Sequence, residues 1–395
     1  MPYKPKLVVI AVGTFTSKAI SAIWTFPALI FSAFVIAWAA ETAQFLISQG
    51  LALALLAWLQ TLPEFAVEAA IAWEAGKDIA KVHLITANFT GSLRLLVGLG
   101  WPMIYFSRAF LGKKHLFAKR FSPIELEDEH SVEVMGLFLP IIYFVIIYFK
   151  GTLNLFDSVI LTCIYLVYLY ILKKIPPQET EKLQEACYVA RKVMSFKPAG
   201  RRISVFGLFL FGGIILYFTA EPFLHSMLGL AAILGISDFV FVQWVAPFLS
   251  EFPEKLSAFN WARTGKKAPM ALMNMVSSNI NQWTVLVAMI PIVYSMSQGN
   301  ISTIHFDHHQ RVEILLTIAQ SFLGFLLLAN MKFHWYEALI LFGLWVTQFI
   351  YPSIREEITL IYFGWIAFEL ILGLFQKKQL VAFKKFKILM KKCFF

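Results

Sequence analysis

Apolar positions run along this chain in long blocks separated by short polar ones, and the blocks are longer than a soluble core needs. Stretches of about 18 or more mostly apolar residues, enough to cross a hydrocarbon layer, recur along nearly the whole sequence. The pattern predicts eleven helices, near residues 20–44, 46–73, 80–106, 132–149, 155–173, 203–221, 230–262, 268–297, 312–331, 335–352 and 356–376. An all-α integral membrane protein with about 10–11 transmembrane helices is therefore expected. Composition agrees: 59% of the 395 residues are hydrophobic, 16% aromatic and only 15% charged, which leaves no room for a soluble domain of any size. Cys163, Cys187 and Cys393 show no Cys-x-x-Cys spacing, so neither a disulfide framework nor a thiolate metal site is expected. The first apolar block lacks the features of a removed signal peptide and is expected to be a retained span.

The charges sort by side. Cytoplasmic loops carry the positive excess in membrane proteins. The loops after spans three, five, seven and nine, with the C-terminal tail, hold 24 of the 34 Lys and Arg; the opposite side holds eight, and Arg94 and Lys255 fall within spans. This places the N-terminus outside and the C-terminus in the cytoplasm. The net charge of +10 is thus a matter of topology, and nucleic acid is not an expected partner.

Within this frame the chain repeats itself. Leu62-Pro63-Glu64 returns as Phe252-Pro253-Glu254, Ala40-Glu41 as Ala220-Glu221, Val132-Glu133 as Val312-Glu313, and Phe156-Asp157 as Tyr336-Glu337. Two copies of five spans follow, residues 17–175 and 203–352, joined by a basic cytoplasmic linker at 176–202 and followed by an extra helix and basic tail at 353–395. Five is odd, so the second copy enters the membrane from the other side. Inverted repeats with interrupted helices are a signature of secondary transporters, which bind their cargo between the copies.

The repeated Pro-Glu pair carries the candidate chemistry. Proline removes a backbone donor and opens a helix, and the adjacent carboxylate is a hard anionic oxygen suited to Na⁺ or Ca²⁺. Thr61 shares the helical face of Glu64, and Ser250 and Glu251 share that of Glu254. A charge at the bilayer centre costs at least about 2.5 kcal/mol on insertion scales, so two related glutamates argue against simple helix-end carboxylates. Glu68, one turn beyond Glu64, has Ala258 as its counterpart and is equally compatible with a structural role; Glu74 and Lys77 are expected in a loop. The next span of each copy answers with a polar stripe: Asn88 and Ser92 beside Gly91 in the first, and Asn274, Ser278 and Gln282 in the second. Singly such residues also glue membrane helices together.

At these residues the sequence resembles the sodium/calcium exchanger family of the cation/Ca²⁺ antiporter superfamily. That family carries two inverted repeats of the form (A/S)TSLPE followed by GNxxGSNxxN/D. Here LQTLPEF with ANFTGSL, and LSEFPEK with MNMVSSNINQ, stand in those places. The resemblance implies Glu64 and Glu254 as the principal ligands for Ca²⁺ and the coupling ion, with Thr61, Ser92, Ser250 and Ser278 lining flanking sites and the first and sixth spans sliding to alternate access. Two departures stand out. Leu96 takes the place corresponding to Gln282, and Glu251 replaces a hydroxyl residue, adding a third carboxylate. Arg94 has two readings: a fixed cation paired with Glu64 or Glu251 that occupies a Na⁺ position, or a side chain that snorkels or faces a neighbouring helix end. Either Na⁺ or H⁺ can serve as the driving ion.

The expected function is a secondary antiporter that exchanges Ca²⁺ or a related cation for Na⁺ or H⁺, with inorganic cations and membrane lipids as partners, no cofactor, and a monomeric or weakly oligomeric state. The rival readings are a non-transporting scaffold of exchanger fold and a multi-span membrane enzyme such as a lipid-linked glycosyltransferase. Short loops suit a prokaryotic inner membrane. His305, Asp307, His308 and His309 read as a solvated external loop before a metal site, Leu183–Lys192 as a short cytosolic helix, and the basic amphipathic tail as lying on the anionic inner leaflet.

Overall fold

A computed structural model describes residues 16–46, 58–59, 61–112, 120–175, 183–265, 267–375 and 380–394. The first copy comprises α1 (Ala22–Ala43), α2 (Leu62–Lys77), α3 (Val82–Leu95) continued through a π turn by α4 (Trp101–Leu111), α5 (Ser131–Lys150) and α6 (Leu155–Lys174). A short linker helix, α7 (Tyr188–Met194), leads to the second copy: α8 (Pro198–Leu234), α9 (Asp238–Ser250), α10 (Phe252–Arg263), α11 (Ala268–Asn281) continued through a π turn by α12 (Val287–Gln298), α13 (His308–Leu328) and α14 (Trp335–Ile350). Beyond them come α15 (Arg355–Leu374) and α16 (Val381–Phe394). Among the described residues, eight helices are long and apolar enough to cross a membrane, with α9 and α14 as shorter apolar helices.

The inversion is visible in small features. Two-residue strands pair antiparallel at each end of the molecule: β1 (Ile124–Glu125) with β4 (Lys332–Phe333), and β2 (Thr152–Leu153) with β3 (Ile304–His305). Each pair takes one strand from either copy. Just before β2 the chain turns through left-handed Gly151 (φ 68°); at the matching place before β4, Met331 adopts φ 62°, which a side chain tolerates poorly. Asn154 with Asp157 and His334 with Glu337 form the same reciprocal cap at the next helix start.

Four spans form the centre. The second half of each broken span packs against its own copy's π-turn span, and α3 meets α9 as α2 meets α12 across the copies. Outside this core α1 and α8 lie against each other. Their approach is close because Gly212 and Gly229 have no side chain: a Cβ at Gly212 would stand 2.8 Å from Ile36, and one at Gly229 would stand 2.8 Å from the backbone of Ala19.

Several expected boundaries move. The sixth span is a single helix of 37 residues that carries Pro222 through its interior and stops at left-handed Gly235, so the seventh begins at Asp238. Residues 47–57 of the expected second span lie outside the described ones. Glu74 and Lys77 sit in the last turns of α2, not in a loop, where Glu74 pairs with Lys77 (3.0 Å) and Lys81 (2.8 Å). The tail helix α16 docks on protein: Ala382 N–H donates to the Ala329 carbonyl (2.9 Å), Lys385 pairs with Asp128 (2.7 Å), and Phe383 meets Phe138 and Phe325. In the linker, the Cys187 N–H donates to Glu41 (2.6 Å), and burial pushes the Cys187 thiol up to about 12, which keeps it unreactive.

Candidate cation-binding site

The site starts from two helix beginnings. Thr61 and Glu251 break the second and seventh spans, and Pro63 and Pro253 each fall in the first turn of the helix that restarts. There a missing N–H costs nothing, so proline starts the half-helix cleanly. Glu64 and Glu254 follow in the same first turn, at the positive end of the helix dipole, where a carboxylate is favoured.

The polar stripes meet these starts. Ser92 Oγ lies 2.5 Å from Glu64 Oε1 and 2.6 Å from Glu251 Oε1. Gln282 crosses from the second copy, its Nε2 donating to Glu64 Oε2 (2.8 Å) and Glu251 Oε1 (3.0 Å). Ser278 donates to Glu254 Oε1, which also accepts from Asn274 (3.3 Å). Glu251 and Glu254 are the acidic groups whose charges act on Glu64, so the three carboxylates form one cluster. All three are buried. Asn88 turns instead to Glu68, donating to its Oε2 one turn along. Thr61 and Ser250 donate back to the preceding turn, to the carbonyls of Trp58 (2.8 Å) and Ala246 (2.9 Å), leaving their oxygen lone pairs for a ligand.

Two counts describe what the cluster can do. Ser92 has one hydrogen for the two carboxylate oxygens in its reach, and Gln282 supplies the other donor at Glu251 Oε1, so this part of the cluster is hydrogen-bonded. Glu254 Oε2, Gln282 Oε1, Glu68 Oε1 and Asn88 Oδ1 are buried acceptors without a donor among the described residues. Such atoms are costly to bury unless a positive partner visits them, and hard oxygens of this kind suit Ca²⁺ or Na⁺.

Arg94 is not in this cluster. It follows Ser92 by two residues and so points from the opposite side of α3. Its guanidinium pairs with Glu313 (2.5 Å), donates to Gln348 (3.0 Å) and lies 5.2 Å from the Trp244 ring centre. Glu313 also takes Gln243 (2.9 Å) and Arg355 (2.5 Å), joining α3, α9, α13, α14 and α15 in one buried polar knot. Of the two readings of Arg94, the pairing with Glu64 or Glu251 is thus corrected, and the side chain faces neighbouring helices instead. The cation that does reach the cluster is Lys255, whose ammonium pairs with Glu251 Oε2. Sequence reasoning noted Lys255 only as a charge within a span; its position four residues after Glu251 was the available signal. Glu313 was visible as a repeat marker, and Gln243 and Gln348 as polar residues inside apolar spans. The histidine-rich loop is put to structural use, with Asp307 capping α13 and His309 meeting Arg355 (2.9 Å).

A sequence profile of the sodium/calcium exchanger protein family matches residues 17–174 and again 204–352, once per copy. The chain belongs to that family. It is an integral membrane cation antiporter and not an enzyme. Among solved structures, an H⁺/Ca²⁺ exchanger named CAX is similar over 98% of both chains at 32% identity, with a TM-score of 0.86. YfkE matches 87% of this exchanger and 97% of its own chain at 15% identity and a TM-score of 0.60. The sodium-calcium exchanger NCX_Mj matches 85% and 99% at 17% identity and 0.54. These last two share the fold. No curated protein matches the chain.

Proposed function

We propose that this exchanger moves Ca²⁺ against protons by alternating access, with Glu64, Glu254 and Glu251 as the oxygens both ions share. The observation that carries the reading is the meeting of two inverted Pro-Glu helix starts around buried acceptors that lack donors among the described residues. Ca²⁺ bound there draws on Glu64 and Glu254, with Ser278, Asn274 and Gln282 holding the carboxylates in place; when it leaves, protons take over the same oxygens. The likeness to an H⁺/Ca²⁺ exchanger over nearly the full chain supports protons over Na⁺ as the second ion. Sliding of α1 and α8, held to each other by the close contacts at Gly212 and Gly229, past the core would open each side in turn. The charge asymmetry of the loops supports an outside N-terminus and a cytoplasmic C-terminus in an inner membrane.

Radioactive Ca²⁺ uptake by proteoliposomes, driven first by a pH gradient and then by a Na⁺ gradient, tests this. Uptake under the pH gradient alone is the expected result. Uptake under the Na⁺ gradient alone would reassign the coupling ion, and none under either would overturn Ca²⁺ exchange.

A further inference from the structure

Lys255 is the residue that the exchange reading does not use. It is buried at 5% exposure, directly after Glu254, and its ammonium contacts the same carboxylate that Ser92 and Gln282 hold on its other oxygen. Its charge acts on Glu254 as well. Arg94, the other cation within the spans singled out from the sequence, is engaged by Glu313 on a different face of α3. The cluster therefore holds three carboxylates and one cation that cannot leave.

We propose that Lys255 is a tethered counter-ion: it neutralises one of the three site carboxylates, so that the cluster presents two negative charges to a divalent cation, and it limits Ca²⁺ affinity by competing for Glu251. The inference rests on the Ca²⁺-exchange reading above. A three-carboxylate cluster without an internal cation would hold Ca²⁺ tightly and release it slowly, because each added charge at close range acts strongly in a dry site. An exchanger must let its cargo go. Lys255 supplies a positive group that returns to Glu251 as Ca²⁺ departs, and the i, i+4 spacing on α10 and its approach keeps it within reach through the break at Glu251. In the first copy Thr61 stands where Glu251 stands in the second, and Phe65 stands where Lys255 stands. The extra carboxylate and the extra ammonium thus occur together in one copy, as a pair added to the repeat.

Ca²⁺ binding to the purified protein by calorimetry at fixed pH and ionic strength tests the idea. Wild-type binding comes first; its absence counts against the exchange reading itself, whatever Lys255 does. Given binding, Lys255→Met is expected to tighten Ca²⁺ at least about tenfold, and Lys255→Arg to leave it near wild type. Glu251→Gln leaves the ammonium uncompensated and should weaken binding, and adding Lys255→Met to it should recover most of that loss. The double variant removes the Lys255–Glu251 pair as a unit and keeps the two carboxylates that face Ca²⁺, so this comparison stands even where the single lysine variant fails to fold. A purely structural lysine gives the opposite pattern: weaker or unchanged binding in Lys255→Met, and no recovery in the double variant. Either of those results overturns the proposal.

Discussion

Two buried ion pairs in this protein look alike as chemistry and differ in their surroundings. Glu313 faces a guanidinium at each oxygen, Arg94 with Gln243 at one and Arg355 at the other. Glu251 shares its serine with Glu64, beside acceptors on Glu254 and Gln282 that have no donor among the described residues. A carboxylate matched by two guanidinium groups holds helices together, whereas a cluster with more carboxylates than cations has capacity for a positive ligand. Arg94→Met leaves Arg355 on Glu313 and removes the hydrogen bonds to Gln348 and to one Glu313 oxygen, so it should lower stability by about 1–3 kcal/mol and leave the ratio of Ca²⁺ to coupling ions as in the wild type. Denaturation in detergent and flux measurements check both halves; an altered ratio at unchanged stability would put Arg94 back in the transport site. At this scale the sequence was most informative where partners lie along one helix. Asn274 and Ser278 meet Glu254 as their four-residue stripe suggests. It was least informative where a partner comes from a distant span: nothing local tells that Arg94 meets Glu313, or that Gln282 of the second copy bonds Glu64 of the first.

Elements explain how a charged cluster is held inside an apolar core. The Pro-Glu starts were legible because proline and a first-turn acid are local signals. The π turns were not, since Leu96–Gly100 and Gln282–Leu286 arise from packing and carry no special residue in common beyond their place in the repeat. Gly91 marks the tightest crossing. A Cβ there would stand 1.9 Å from the Gln243 carbonyl oxygen, so α3 and α9 would have to separate. Gly91→Ala is expected to cost about 3 kcal/mol or more, read as a lower melting temperature and loss of monodispersity, while Gly207→Ala, with open space around its added methyl, should behave as wild type. Equal behaviour of the two variants would count against the observed crossing.

At the scale of the molecule, the odd number of spans per copy carried the inference of inversion, and the two cross-copy strand pairs bear it out. The docking of α16 was not foreseen, because an amphipathic basic helix fits a lipid surface and a protein groove equally well on composition. Removing residues 380–395 should cost about 2 kcal/mol through the lost apolar contacts of Phe383 and its neighbours, seen as a lower melting temperature. An unchanged melting temperature would return the tail to the membrane surface. The central claim concerns the pair of glutamates that the two inverted copies bring together. Its most direct measurement is pH-gradient-driven Ca²⁺ uptake by proteoliposomes containing the wild type, Glu64→Gln or Glu254→Gln, at matched amounts of folded protein. Uptake by the wild type that falls to the level of empty vesicles in both variants is the expected result; uptake that survives in both would contradict the site.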